Sequence, residues 1–450
     1  MRPLLPTILL VVAAHPALVA GQGTPPPATD PRVSALVAEV SAERIEHTIR
    51  TLVGFGTRHT LSDTLSDTRG IGAARRWLKG EFDVIAQACG GCLEVFFDEG
   101  VVEGSERSRI PEDVNIVNVV AVQRGTTYPN RYILITGHYD SRVSDAMDTT
   151  SDAPGANDDA SGTAATLEAA RVLSQYRFAK TLVYAPLAGE EQGLYGGRQL
   201  AQRAQREGWI VEAVLNNDII GNIAGQDGVV DNTAFRVFSE PTPQTETEQE
   251  RQRRRFTGGE VDGISRQLAR YVDRITGLYL PNIDAVMIYR LDRFGRGGDH
   301  RRFNDLGFPA VRLTEMHENY TRQHQDIRTE DGIAYGDVAD AVDFDYAARI
   351  VAVNVATMAS LAWAPPPPDS VRIRGAVRPS TSLWWSGAPG QGYRVYWRET
   401  TAPQWTHHRW VGDTTAVTLE NIVIDNYLFG VVAVGPQGNE SVVVFPRPGR

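Results

Sequence analysis

Two adjacent glutamates, Glu190 and Glu191, stand between the apolar run "KTLVYAPLAG" and the glycine-rich stretch "GLYGG". The apolar run predicts a buried strand over residues 181–187, and the residues after the glutamates predict a helix. The simplest reading of such a pair is a solvated helix start, where carboxylates suit the positive end of the helix dipole. A strand before the pair favours another interpretation, because ligands bind at the carboxyl ends of strands in open parallel α/β sheets.

Further acidic side chains and a histidine follow other apolar runs or lie in glycine-bounded turns. "ILITGHYDS" closes with His138 and Asp140, "PGANDDASG" presents Asp158 and Asp159, and "VLNNDIIG" ends in Asp218. Several anions that share a cleft repel one another, and a divalent cation between them reverses that balance. Imidazole and carboxylates are ligands that suit zinc, and a catalytic zinc has about three protein ligands. Five protein ligands with one shared carboxylate would hold two metals.

Such a dinuclear site needs a second histidine. The late segment "GGDHRRFNDLGFPAVRLTEMHENYTRQHQDIRTEDG" offers His300, His317 and His324. Spacing alone does not choose among them, and surface placement is the alternative for each.

The elements that must position these side chains alternate along the chain. Apolar, β-branched runs such as "VNIVNVVAVQRG" and "RYILITGHYDS" are separated by helical patterns, notably over residues 160–176. This alternation predicts an α/β fold with a mostly parallel, doubly wound sheet and helices on both faces. The polar insertion "SEPTPQTETEQERQRRR" predicts a mobile loop.

Composition narrows the function classes. The chain has 450 residues and a net charge of −10, with 45 basic and 55 acidic residues. This length accommodates two or three domains. Nucleic acid is disfavoured as a partner because phosphate binding needs a basic surface.

The N-terminal stretch "MRPLLPTILLVVAAHPALVAGQG" has an early arginine, an apolar run and small residues near a potential cleavage site. This pattern predicts a signal peptide over residues 1–21, followed by a leader over residues 22–40; a buried N-terminal helix is the alternative. We therefore expect a secreted protein, extracellular or periplasmic. No other segment approaches 18 consecutive apolar residues, so we expect no membrane span.

The two cysteines of the chain, Cys89 and Cys92, flank two glycines in "ACGGCLEV". In an exported protein this spacing favours a local disulfide. A redox-active pair and a zinc knuckle are the alternatives, but one CxxC supplies only two of the four ligands of a structural zinc.

The composition changes at "WAPPPPDS", which predicts a proline-rich linker over residues 363–370. Short alternating strands follow over residues 371–450 and predict a β-sandwich. A tryptophan pair, "YRVYWR" and "YLFGVVAV" make this part similar to a fibronectin type III module. That resemblance implies binding or spacing rather than catalysis, with an unknown protein or surface partner.

Five ordered motifs together resemble one enzyme family: "GHYDS", "GANDDASG", "GEEQGLYG", "NNDIIGN" and "DHRRFNDLGFPAVRLTE". They are similar to the zinc aminopeptidase and glutamate carboxypeptidase family, metallopeptidase family 28. The resemblance covers residues 41–362 and implies a doubly wound α/β domain with two zinc ions. Carried over by position, it implies the following metal ligands: His138 and Asp218 on one zinc, Glu191 on the other, and Asp158 bridging both.

The last ligand departs from the family pattern, in which a histidine comes shortly after a tyrosine. This chain has "ENYTRQHQD", and we choose His324, which Asp326 follows, over His317. The resemblance gives Glu190 the role of general base, which would take a proton from metal-activated water and pass it to the leaving amine. It also implies supporting roles without metal binding for Asp140, Asp159, Tyr320 and His300. Asp140 would orient His138, Tyr320 would stabilise the oxyanion, and His300 would line the site.

These residues predict a secreted dinuclear zinc exopeptidase that acts on peptide or protein substrates, and we favour an aminopeptidase. Carboxypeptidase or glutaminyl cyclase activity on the same fold are alternatives. A catalytically silent secreted binding protein is a third, which a retained general base argues against.

Overall fold

The computed structural model describes residues 23–388 and 390–449, so the predicted signal peptide over residues 1–21 lies outside the described residues. Within the predicted leader, helix α1 spans Pro31–Ala38 and begins at the Asp30 cap, whose side chain accepts from the Arg32 amide. Val33 and Leu36 of α1 are buried in the hydrophobic core. The end of the leader is therefore an ordered helix rather than a flexible tail.

The larger domain is built on a mixed eight-stranded sheet with the order β1-β2-β4-β3-β5-β8-β6-β7. Its four adjacent central strands, β4, β3, β5 and β8, are parallel; β2 pairs with β4 antiparallel, and β1 pairs with β2 antiparallel. The strands of this sheet are β1 Leu93–Val102, β2 Val114–Gln123, β3 Tyr128–His138, β4 Lys180–Leu187, β5 Ile210–Asn217, β6 Ala234–Phe238, β7 Asp284–Ile288 and β8 Ala310–Glu315.

Helices cover both faces of this sheet. Ile133 and Ile135 of β3 point into the larger core, and Tyr132 and Leu134 point into a second core on the opposite face, as the alternation of a strand requires. Helices α5 and α8 cover the second face, and most of the others cover the first. Besides α1, the helices are α2 Ala42–Gly54, α3 Gly70–Ala88, α4 Ala160–Leu173, α5 Tyr195–Arg206, α6 Glu248–Thr257, α7 Ile264–Tyr279, α8 His300–Asn304 and α9 Phe344–Trp363.

Helix α9 is the one helix in the described part of the chain that is long and apolar enough to cross a membrane. Most of its length is buried inside the protein, where it packs against the sheet and α4. Core helices of this kind satisfy the same criteria of length and composition as a membrane span.

The polar insertion does not form the predicted loop throughout, because it contains helix α6. Thr247 and Glu250 form a reciprocal capping box at its start, which satisfies backbone N–H groups that would otherwise lack partners. Cys89 and Cys92 form a disulfide at the end of α3, with an S–S distance of 2.12 Å.

The C-terminal part consists of two small sheets with the strand orders β15-β12-β11-β17 and β14-β13-β16. Side chains such as Trp385, Val395 and Val431 fill a core of their own. The connection from α9 spans residues 364–368. Strands outside the large sheet are β9 Arg328–Glu330, β10 Ile333–Tyr335, β11 Asp369–Arg374, β12 Thr381–Ser386, β13 Gly392–Glu399, β14 His407–Gly412, β15 Ala416–Leu419, β16 Tyr427–Val434 and β17 Arg447–Pro448; short 3₁₀ turns cover Ala339–Ala341 and Ile424–Asn426.

Candidate active site

Three neighbouring parallel strands end at one edge of the sheet and supply most of the predicted site residues. Strand β3 ends at His138, Asp218 follows the last residue of β5, and Glu190 and Glu191 follow β4 after a short turn. Gly189 in that turn has φ +72°, a conformation that favours glycine. The sequence therefore brings these side chains together through strand register alone.

Asp158 and Asp159 reach the same edge because helix α4 begins unusually close to β3. A Cβ atom on Gly137 would lie 2.3 Å from the backbone carbon of Gly162, so only glycine permits this approach. Asp159 caps α4 by accepting from the Gly162 amide at 2.9 Å, and its other oxygen accepts from the His138 amide at 2.9 Å. Asp159 thus ties the helix to the strand, and the Asp158–Asp159 peptide bond is cis.

One group of potential metal ligands consists of His138, Asp158 and Asp218. All three side chains are buried, and one ligand atom from each lies within 4.8 Å of the others. His138 Nε2 is 3.1 Å from Asp158 Oδ1.

A second group consists of Asp158, Glu191 and His324, again with ligand atoms within 4.8 Å of one another. His324 Nε2 lies 2.9 Å from Asp158 Oδ2 and 3.0 Å from Glu191 Oε1. The two oxygens of Asp158 therefore face different groups, as a bridging carboxylate requires.

The donor set of these two groups fits two divalent cations such as zinc. Each group offers one imidazole and two carboxylates, and a catalytic zinc has about three such protein ligands. With bonds of about 2.0–2.2 Å, neighbouring ligands of a tetrahedral zinc lie roughly 3.3–3.6 Å apart. The observed separations of 2.9 to 3.1 Å are only slightly shorter.

The carboxylates around the two imidazoles favour positive charge on both rings. Burial disfavours charge on His324, but the carboxylates of Glu191 and Asp158 outweigh it and raise the pKa of His324 to about 9. Burial likewise opposes protonation of His138, and Glu190, Asp140 and Asp158 raise the pKa of His138 well above its usual value. Both histidines therefore lie where positive charge is favoured.

Glu190 is partly buried and lines the cleft next to the two ligand groups. Burial raises the pKa of Glu190 well above its usual range; the imidazole of His138 opposes this effect, and the carboxylates of Asp218, Glu191 and Asp299 add to it. A raised pKa suits a carboxylate that must accept a proton near neutral pH.

Asp140 connects the two neighbouring strand ends. Its carboxylate accepts from the Glu190 amide at 3.3 Å, from the Glu191 amide at 3.2 Å and from the Thr60 hydroxyl at 2.8 Å. The same carboxylate lies 3.4 Å from His138 Nδ1, and the backbone carbonyl of Asp140 lies 3.0 Å from that nitrogen. Asp140 therefore fixes both the imidazole ring and the turn that carries the two glutamates.

The three late histidines occupy different places. His324 lies in the cleft, whereas His317 Nδ1 lies 3.2 Å from Asp227 Oδ2 at the surface, outside both ligand groups. His300 is fully buried behind the cleft wall, where its Nε2 lies 2.9 Å from the Leu291 carbonyl. The sequence predicts that His300 lines the site, but the structure does not place it among the residues that line the cleft. Tyr320 lines the cleft with 56% of its surface exposed.

Sequence reasoning missed several side chains that hold the ligands. Arg312 donates to Asp218 Oδ1 at 2.7 Å, and Asp337 accepts from the Asp158 amide at 2.7 Å. Arg142 Nε donates to Glu191 Oε2 at 2.9 Å, and its Nη2 lies 2.7 Å from His324 Nδ1. An arginine inside the apolar strand "AVRLTE" was the available signal for Arg312, because buried charges need partners.

The site opens into a cleft of about 840 Å³. Asp158, Glu190, Glu191 and Asp218 form its floor together with His324. Arginines from the β1–β2 connection and from residues 293–302 form much of its walls.

Comparison with known proteins identifies related chains. The sequence profile described as "Peptidase family M28" matches residues 118–343. A probable zinc metalloprotease of Leptosphaeria maculans is 46% identical over 433 residues, which cover 95% of this chain and all of the relative. A probable zinc metalloprotease of Pyricularia oryzae is 44% identical over 430 residues, covering 93% of this chain and 85% of the relative.

Solved structures share the fold of the larger domain. LapA of Legionella pneumophila superposes with a TM-score of 0.54 at 22% identity, over 74% of this chain and 76% of LapA. An aminopeptidase from Aneurinibacillus sp. strain AM-1 superposes with a TM-score of 0.50 at 15% identity, over 74% of this chain and 97% of its own. At these identities the likeness establishes the α/β fold.

Proposed function

This chain belongs to peptidase family M28, and we propose that it is a secreted dinuclear zinc exopeptidase that acts as an aminopeptidase. The observation that carries the proposal is the position of Asp158 between two ligand groups, with one oxygen toward His138 and the other toward His324. The probable zinc metalloproteases that resemble it along nearly its whole length support zinc as the metal.

His138 and Asp218 would hold one zinc ion, Glu191 and His324 the other, and Asp158 would bridge them. When bound, the two ions would polarise the scissile carbonyl and lower the pKa of the attacking water.

Glu190 would carry the proton through the reaction. Its carboxylate accepts a proton from the attacking water while the water oxygen bonds to the scissile carbonyl carbon. When the carbon–nitrogen bond breaks, Glu190 delivers that proton to the leaving nitrogen, so one water is consumed for each new amine and carboxylate. Asp140 keeps Glu190 in place through the backbone N–H group that it accepts from.

For an aminopeptidase, the free α-amino group of the substrate would sit among the carboxylates on the cleft floor. Carboxypeptidase activity is a second candidate, because the arginines on the cleft walls suit a terminal carboxylate. Glutaminyl cyclase activity is less well supported, because ligands for two metals are present. A silent binding protein would have no use for a proton acceptor beside two ligand groups. Export rests on the signal-like pattern of residues 1–21.

The proposal is tested with purified protein that is stripped of metal and then titrated with zinc. We expect two zinc ions per chain by metal analysis, and release of N-terminal amino acids from unblocked peptides only after zinc is added. Glu190→Gln should reduce kcat by at least about a hundredfold and keep the metal, since it removes the proton acceptor alone. The control Glu260→Gln changes an exposed glutamate and should have no effect.

The substrate panel separates the candidates. Turnover of peptides with a blocked N-terminus and a free C-terminus, but not of unblocked peptides with an amidated C-terminus, would replace the aminopeptidase by a carboxypeptidase. A zinc-loaded protein that hydrolyses neither kind of peptide would refute the exopeptidase proposal.

A further inference from the structure

The walls of the cleft carry the opposite charge to the protein as a whole. The chain has a net charge of −10, yet seven arginines line the cleft together with only four carboxylates. Two divalent cations on the cleft floor would add further positive charge. The arginine-rich walls of the cleft therefore favour an anionic group of a ligand.

Four of the seven arginines are held by acidic residues. Arg142 pairs with Glu191, and Arg302 pairs with Asp305 at 3.3 Å. Arg293 and Arg296 share Glu318, at 3.2 and 2.9 Å. These four arginines therefore neutralise nearby carboxylates, and their presence needs no ligand.

The remaining three arginines make no ion pair with a carboxylate in the described part of the chain. Arg107 and Arg109 are exposed on the connection between β1 and β2, and Arg109 donates to the Glu191 backbone carbonyl at 2.7 Å. Arg301, in the first turn of α8, lines the cleft and is only partly buried. A guanidinium on the cleft wall that no carboxylate holds can pair with an anionic group of a ligand.

The Arg301 guanidinium lies against the 295–297 segment, because a Cβ atom on Gly297 would lie 2.7 Å from Arg301 Nη1. Gly297 and Arg301 both line the cleft. Arg301 therefore stands on one wall of the cleft, and Arg107 and Arg109 come from a different segment.

We propose that this cleft selects substrates that carry a carboxylate close to the scissile bond, with Arg301 as its principal partner. The inference rests on the proposed peptidase function and adds to it the class of substrate: acidic or very short peptides. A planar guanidinium forms paired, charge-assisted hydrogen bonds with a carboxylate, which makes arginine the suitable residue for this role. The carboxylate has two possible sources, an acidic side chain or the free C-terminus of a short peptide.

Three peptides of equal length separate these sources. Leu-Gln-Ala-amide has no carboxylate, Leu-Glu-Ala-amide adds one on a side chain, and Leu-Gln-Ala with a free C-terminus adds one at the end. With the zinc-loaded protein at low ionic strength, we expect kcat/KM for at least one of the two acidic peptides to exceed that of the neutral peptide roughly tenfold. The preference should shrink as salt is added.

Variants test the assignment to Arg301. Arg301→Gln should remove most of the preference, because it lowers kcat/KM for the acidic peptide far more than for the neutral peptide, whereas Arg301→Lys should keep part of the preference. Arg206→Gln, which changes an exposed arginine outside the cleft, is the matched control and should keep all of it.

Calorimetric binding of the same peptides to the zinc-loaded Glu190→Gln variant needs no turnover. If no peptide is hydrolysed by the wild type but the acidic peptides bind roughly tenfold more tightly, the peptidase proposal fails and the carboxylate site stands. If the neutral peptide is hydrolysed and bound as well as both acidic peptides, the carboxylate site is refuted and the peptidase stands. Equal loss of activity on all three peptides in Arg301→Gln would also overturn the assignment.

Discussion

Arg312 and Asp218 form a fully buried ion pair directly behind the candidate metal site. Arg312 Nη2 donates to Asp218 Oδ1 at 2.7 Å and to the backbone carbonyl of Asp218 at 3.2 Å. Arg312 Nη1 lies 3.3 Å from Asp292 Oδ2. Burial opposes the charge on Arg312, but Asp218 and Asp292 outweigh it and raise the pKa of Arg312 above its usual value. The arginine thus holds one oxygen of Asp218, which leaves the other for a cation.

Arg312→Gln should destabilise the fold and weaken metal binding. Removal of one partner from a buried ion pair leaves uncompensated charge, which costs about 3–5 kcal/mol. Loss of a group that orients a ligand lowers metal affinity roughly 10–100-fold. Denaturant unfolding and zinc titration measure the two effects, with Arg206→Gln as the surface control. Unchanged values in both measurements would show that Asp218 needs no support.

His324→Ala and His317→Ala should differ in metal content. His324 lies against Asp158 and Glu191, so its removal takes the only imidazole from the second ligand group. His317 contacts Asp227 at the surface. We expect one zinc per chain in His324→Ala and two in His317→Ala by metal analysis. The reverse pattern would assign the last ligand to His317.

The sequence was sufficient to predict which strand ends meet, because apolar runs fix the strands and parallel strands end at one edge. Asp218 and Glu191 follow from that rule, and His138 is the last residue of β3. Asp158 precedes α4 and reaches the same edge because that helix begins close to β3. Motif resemblance selected His324 among three histidines, since a long segment without strand or helix periodicity brings it to the cleft. The periodicity of apolar residues could not have selected one of the three histidines.

Contacts between distant segments were beyond sequence reasoning. Asp337 reaches the Asp158 amide across 179 positions, and Arg142 reaches His324 across 182. No local pattern encodes such pairs, because they depend on how loops pack. Helix α6 was not predicted for a different reason. Its capping box, Thr247 and Glu250, is visible in the sequence, but the polar composition of the segment favoured a loop.

Asp140→Asn should slow the reaction more than it weakens the fold. The Glu190 and Glu191 amides donate to different oxygens of Asp140. An asparagine has only one oxygen, and its nitrogen does not accept, so the turn that carries these two glutamates would shift. We expect kcat to fall roughly 10–100-fold with little change in KM. Thr60→Val removes only the Thr60 hydroxyl from the same carboxylate and is the matched control. A larger loss in the threonine variant would contradict a role for Asp140 in holding the turn.

Glu240 should make the protein less stable as the pH rises. Burial, with a contribution from Asp305, raises the pKa of Glu240 to about 7. An unfolded glutamate has a pKa of about 4.3, so the folded protein holds this proton more tightly. The stability cost is absent below the unfolded pKa, grows between about pH 4 and 7, and is complete above the folded pKa.

Glu240→Gln removes this titration and should therefore stabilise the protein by about 2 kcal/mol at pH 8. At pH 5 the two proteins should differ much less. Denaturant unfolding across this range is the measurement, and Glu260→Gln, an exposed glutamate, is the control. A constant difference at all pH values would mean that Glu240 does not titrate in the folded state near pH 7.

Asp262 joins the larger domain to the C-terminal sheets and should be essential for stability. Its carboxylate accepts from Arg270 of α7 at 2.7 Å and from Arg398 of β13 at 2.8 and 3.0 Å, and all three side chains are 1% exposed. Asp262→Asn would leave two buried guanidinium groups without a countercharge, at a cost of about 3–5 kcal/mol. We expect denaturant unfolding at a lower midpoint, whereas Arg409→Gln, on the exposed face of β14, should leave the midpoint unchanged. If Asp262→Asn unfolds like the wild type, the C-terminal sheets do not depend on this ion cluster for their attachment.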